Sequence, residues 1–227
     1  MNPKLLLFCL ALAGLTTARA GSIVGTVRAL PPPEPPAAAG GGGAYESRRY
    51  KFAERIDYDR LRDFVVYIDQ AVPGAPPVTP QMAAVTTQRD ASFDPHVLPV
   101  AVGTTVRWPN DDDIYHNVYS ISDAKWFDLG YYKQEKVPEQ TFDTVGRVDV
   151  FCAIHTKMHC IVLVVPTIYF AKADAKGRFV IKDVPPGVYK LRAWHERFPA
   201  QVKQITVPAD GEVRVDFALG LGELPQS

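Results

Sequence analysis

RVDVFCAIHTKMHCIVLVV, from Arg147 to Val165, decides the fold. In its first third Val148, Val150 and Cys152 interleave with Arg147, Asp149 and Phe151, the two-residue period of a strand with one buried face. Its last third, Ile161 to Val165, is continuously apolar, as a strand buried on both faces would be. The stretch between them predicts a tight loop joining two strands. Upstream, Val106 and Trp108 alternate with Thr105 and Arg107, and Met82 to Val165 as a whole reads as short strands separated by turn signals. No segment here carries a 3.6-residue period long enough for a major helix.

Downstream the alternation is cleaner. Phe179 and Ile181 interleave with Arg178, Val180 and Lys182; Tyr189, Leu191 and Ala193 with Lys190 and Arg192; Val213, Val215 and Phe217 with Arg214 and Asp216. Asp183-Val184-Pro185-Pro186-Gly187 reads as a turn, with Pro presetting φ and Gly permitting φ > 0. Strands of this kind have one buried face and need a partner sheet. Gly21–Ala29 and the β-branched, aromatic run Phe64–Ile68 are the candidates to supply it. Between those two lie a Pro- and Gly-rich loop, Pro31–Gly43, and a charged segment, Tyr45–Asp63, of ambiguous structure. The expectation is an all-β chain in which one small β-sandwich is interrupted by a second. Its divisions are a leader over 1–20, N-terminal strands over 21–80, a central domain over 81–165 and C-terminal strands over 166–227.

Of the 227 residues 47% are hydrophobic, enough for a packed core, and the 25 basic residues are matched by 25 acidic ones. That balance gives no basic field for non-specific nucleic-acid binding. Lys4, the apolar run Leu5–Leu15 and then Ala18-Arg19-Ala20 follow the order of a secretory signal peptide. The run is shorter than the ~20 residues a membrane span needs, and no later stretch qualifies. The mature chain is therefore expected to start near Gly21, without a transmembrane segment, in the periplasm or outside the cell. Cleavage removes Cys9 and leaves Cys152 and Cys160, too few for a disulfide framework.

Chemistry concentrates in FCAIHTKM, Phe151–Met158, and NDDDIYHNV, Asn110–Val118. Cys152, His155 and Met158 are three residues apart, so one loop can aim a thiolate, an imidazole and a thioether at one ion. His116 would complete the set from the end of another strand. Two His and one Cys with a weak axial Met form the donor set of a blue-copper electron-transfer site. Zinc is the competing metal, but it rarely uses Met, and a structural site would want a fourth strong donor.

These residues resemble the cupredoxins, in the short-loop, amicyanin- or plastocyanin-like form with two residues between Cys and His and two between His and Met. Thr87 to His195 is further similar to exported bacterial cupredoxins labelled methylamine-utilisation proteins, through SFDPHVLPVAVGTTVRWPNDDDIYHNVYSIS, the Cys152–Met158 loop and TIYFAKADAKGRFVIKDVPPGVYKLRAWH. The label does not establish a pathway. The resemblance implies a Greek-key cupredoxin sandwich holding one copper in a type 1 site, flanked by a transthyretin-like, carboxypeptidase-regulatory-like sandwich. It implies His116, Cys152, His155 and Met158 as ligands, and Asn117 as the residue behind them that ties the His-bearing loop to the Cys-bearing loop. It departs at Cys160, where a small residue such as Gly is expected. Cys160 should share a face with Met158 and reads as a buried small hydrophobe, with direct ligation or a disulfide as alternatives. His159 should point to solvent. His96 and His195 read as structural or surface residues, and Trp108, Trp126 and Trp194 as core or edge packing.

The expected function is single-electron transfer between redox partners, such as a cytochrome or a dehydrogenase, through the edge of His155. The chain has no catalytic triad, no partnered carboxylate pair, no phosphate loop and no His-x-His pairs of a multicopper oxidase, so no enzyme activity is expected. The rivals are a copper carrier, sensor or storage protein, which would exchange the ion instead of the electron, and a structural or adhesive module.

Overall fold

A computed structural model describes residues 20–31, 57–78 and 84–221. The expected leader up to Arg19, the Pro/Gly-rich loop after Pro31 and most of Tyr45–Asp63 lie outside the described residues. The first described strands are β1 (Gly21–Ala29) and β2 (Val65–Ile68). Next come β3 (Ala84–Val85), β4 (Thr87–Arg89), β5 (Ser92–Asp94), β6 (Val97–Ala101), β7 (Thr104–Arg107), β8 (His116–Ser122), β9 (Lys125–Tyr132), β10 (Glu139–Phe142), β11 (Gly146–Phe151) and β12 (His159–Val165). The last group is β13 (Phe170–Lys172), β14 (Arg178–Val184), β15 (Gly187–His195), β16 (Phe198–Val207), β17 (Glu212–Arg214) and β18 (Phe217–Leu219). Apart from one turn of 3-10 helix at Tyr58–Arg60, the regular structure is all β. Among the described residues no helix is long and apolar enough to cross a membrane.

The central group forms one sandwich. The sheet β10-β7-β3 faces the sheet β6-β12-β11-β8-β9. Successive strands cross between the sheets in the Greek-key manner: β7 lies in the first, β8 and β9 in the second, β10 in the first again, β11 and β12 in the second. Between them pack Trp108, Val106, Phe142, Val118, Phe127, Val150 and Val162, all buried. The outer group forms the other sandwich, with β14-β1-β17 and β18 on one side and β13-β2-β15-β16 on the other. Its core holds Ile23, Val27, Phe179, Ile181 and Phe217 opposite Val66, Ile68, Leu191, Ala193 and Ile205.

The early strands do not form a sheet of their own opposite the late ones. β1 is the hub of one sheet and β2 an inner strand of the other, so each sheet is built across the insertion. The reason is in the turn Asp183–Gly187. β14 and β15 flank it yet do not pair; the turn carries the chain from one sheet to the other. Positive φ falls on Asp183 (56°), not on Gly187. Gly187 instead makes room: a Cβ there would lie 2.9 Å from the Tyr189 hydroxyl, which donates to Pro185 O at 3.0 Å. Gly25 serves β1 in the same way, because a Cβ would collide with the backbone oxygen of Val215.

The two sandwiches share a buried seam. On β12, Val162 and Val164 face the central core while Ile161, Leu163 and Val165 face away from it. On β2, Val66 and Ile68 face the outer core while Val65 and Tyr67 face away. The two leftover faces meet, with Val97 between them and Phe170 and Trp194 alongside. Continuous apolar character in both strands follows from burial on two sides. At the rim His96 Nε2 lies 3.1 Å from Glu196 Oε2, and Lys172 Nζ donates to Val97 O.

Candidate metal centre

β11 and β12 pair in antiparallel register, Val150 opposite Cys160 and Phe151 opposite His159. The loop that joins them is closed on itself: Cys152 N donates to Met158 O (3.2 Å) and Met158 N to His155 O (2.9 Å). This closure turns Cys152 and Met158 inward, where both are buried in the central core, and leaves His155 at the edge, half-buried. β8 starts with His116, fully buried, and its pairing with β9 sets that residue opposite Tyr132.

Three of the four side chains predicted as ligands converge. Cys152 Sγ is 3.6 Å from His155 Nδ1 and 4.0 Å from His116 Nδ1, and the two Nδ1 atoms are 3.1 Å apart. These three residues are, among the described residues, the group of His, Cys and carboxylate side chains close enough to hold one ion, with all donor atoms within 4.8 Å. An ion bound at about 2.0–2.3 Å in a trigonal plane separates its donors by about 3.5–3.8 Å, so this triangle fits with shifts of a few tenths of an ångström. Two imidazoles and a thiolate beside a buried thioether are a donor set suited to copper.

Polar groups behind the candidate ligands contact them. Asn117 N donates to Cys152 Sγ at 3.5 Å, so the His-bearing strand does touch the Cys-bearing loop. The Asn117 side chain, however, points elsewhere: Nδ2 donates to Asp128 Oδ1 (2.7 Å) on β9. The tie expected of Asn117 therefore runs through its backbone, because the side chain has the nearer charged acceptor. His116 Nε2 lies 2.8 Å from Asp112 Oδ2. Burial pushes the Asp112 carboxyl up, but hydrogen bonds from the backbone of Ala91, the ring of His116 and the backbone of Asp90 outweigh it, and the net shift is downward. Neither Asp112 nor Asp128 was singled out from the sequence. For Asp112 the available signal was an acidic run, Asp111–Asp113, ending three residues before His116.

Cys160 is a free thiol buried in the same core, as is Cys152. Burial, then the charge of Asp149, pushes its pKa well up. His159 turns to the opposite face of the sheet, stacked on Phe151 and 2.8 Å from Asp149 Oδ1. His96 pairs with Glu196, and His195 is buried against Phe64 and Phe198. Trp108 is core and Trp194 borders the seam, but Trp126 is 73% exposed rather than packed at an edge.

Residues 161–220 match the family model of the carboxypeptidase regulatory-like domain. The match starts in β12 and holds all of β13–β18, so the regulatory-like module contains the outer strands that follow the insertion. Similar solved structures include cupredoxins and a copper-containing enzyme. A purple cupredoxin from Nitrosopumilus maritimus shares 27% identity over 36% of this chain and 98% of its own, with a TM-score of 0.33. A mutant amicyanin in its Cu(I) form shares 26% over 44% and 97%, with a TM-score of 0.35. A copper-containing nitrite reductase from Thermus scotoductus shares 26% over 43% of this chain and 25% of its own, with a TM-score of 0.37. No curated protein matches the chain.

Proposed function

We propose that this protein is an exported type 1 copper protein that passes single electrons between redox partners and has no enzymatic activity of its own. The observation that carries the reading is the convergence of Cys152 Sγ and the Nδ1 atoms of His116 and His155 to within 4.8 Å, beside the buried Met158. Copper, when bound, supplies a one-electron couple between Cu(II) and Cu(I). The chain supplies a frame that keeps the donors in place in both states. His116 and Cys152 are buried and hydrogen-bonded from behind, and the loop hydrogen bonds fix Met158. A preorganised frame limits the reorganisation that accompanies a change of charge.

His155 lies half-buried at the edge of the site, and Ile154 beside it in sequence is 50% exposed. A ring at the edge of the site suits brief contact with a redox protein, such as a cytochrome or a dehydrogenase. The export reading rests on Lys4, Leu5–Leu15 and Ala18-Arg19-Ala20. Stopped-flow reduction run beside competition from a Cu(I) chelator of moderate affinity tests the function. Fast reversible exchange with copper retained in both states is the expected result. Sluggish exchange with rapid copper loss on reduction would decide for a carrier.

A further inference from the structure

We propose that Asp112 is the positioning residue of the metal centre: its carboxylate fixes the ring of His116 and, by raising the donor strength of that ring, lowers the reduction potential of the site. This rests on the copper reading above. An imidazole has two nitrogens, and here they have separate partners. Nδ1 faces Cys152 and His155, while Nε2 faces Asp112 at 2.8 Å. An ionised carboxylate only accepts, so Nε2 carries the proton and Nδ1 presents its lone pair to the site.

Asp112 is itself fixed by more than a surface loop requires. Its Oδ1 accepts from Asp90 N (2.8 Å) and its Oδ2 from Ala91 N (3.0 Å). Those residues form the turn between β4 and β5 and stand at φ 53° and 51°, a left-handed conformation that Ala adopts at a cost. Held that way, both amides point at one carboxylate. From the other side Asp112 N donates to Asn110 Oδ1 (2.9 Å), and Asn110 Nδ2 donates to Ile114 O and Tyr132 O. The hairpin β4–β5 and the loop before His116 are thus joined at the Asp112 side chain, which is only 15% exposed while the His116 ring is fully buried. A carboxylate behind a metal-bound imidazole raises its basicity, and a nearby negative charge favours Cu(II) over Cu(I).

Voltammetry and Cu(II) competition on copper-loaded wild type, Asp112→Asn, Asp112→Glu and Asp113→Asn test this. Asp113 belongs to the same acidic run, but its side chain is 97% exposed, so Asp113→Asn controls for loss of a charge alone. Asp112→Asn is expected to weaken Cu(II) relative to Cu(I) about tenfold, a rise of about 59 mV for a one-electron couple. Asp112→Glu should recover part of the shift, and Asp113→Asn should match wild type. An Asp112→Asn potential equal to that of Asp113→Asn would overturn the proposal. Ring nitrogen NMR on the metal-free wild type gives a second reading that needs neither copper nor a variant. A proton on His116 Nε2 is expected, and an unprotonated Nε2 would overturn the assignment. A wild type that binds no copper would sink the copper reading while leaving the ring measurement to decide on Asp112.

Discussion

Cys152→Ser will remove the visible absorption of the copper-loaded protein altogether. The band expected of wild type is charge transfer from a thiolate to Cu(II), and Cys152 Sγ is the sulfur that lies 3.6 and 4.0 Å from the two imidazole nitrogens. Serine has nearly the same shape, and the loop bond from Cys152 N to Met158 O is a backbone contact that the substitution does not touch. The variant should therefore stay folded, with a thermal midpoint close to wild type, yet be colourless. Absorbance between the aromatic region and the near infrared checks it. Retention of the band would shift suspicion to Cys160, the other thiol in this core.

Ending the chain after Val165 should have the larger structural effect. It removes β13–β18, so β1 loses β14, β17 and β18, and β2 loses β13 and β15. It also strips Phe170 and Trp194 from the seam and removes the strands that hold β2 against Ile161, Leu163, Val165 and Val97. Burial of each such side chain stabilises by about 1.5–3 kcal/mol, against a total of about 5–15 kcal/mol for a domain. The truncated chain should aggregate, or leave the amides of β1 and β2 unprotected in hydrogen exchange. A monomer with both strands fully protected would contradict the split-sandwich architecture.

How far these features could be read from the sequence depended on their range. β1 and β2 were visible because an apolar, β-branched run fixes a strand locally, and Ile161–Val165 announced two-sided burial because no polar residue interrupts it. The candidate ligand loop was visible because Cys152, His155 and Met158 lie within seven residues and the proposed chemistry demands unlike donor types. What could not be read was pairing. Whether β1 joins β14 or β2 is decided by contacts more than 100 residues apart and by a turn that changes sheets. The Pro-Pro-Gly signal marked that turn without giving its direction, and the positive φ went to Asp183 because Gly187 was needed for the Tyr189 ring. Asp112 and Asp128 were hidden for another reason: acidic residues beside a loop are ordinarily solvated, and only the fold shows which one faces a ring nitrogen. Asn117 was identified as a residue near the ligands, but which of its atoms makes the tie depends on Asp128, a partner on another strand.

A single titration of the purified protein with Cu(II), followed by visible absorption, tests the central claim most directly. The donor set of His116, Cys152, His155 and Met158 predicts an intense band that grows linearly and stops at one copper per chain. A protein that stays colourless through the titration and retains tightly bound zinc after copper exposure would contradict it.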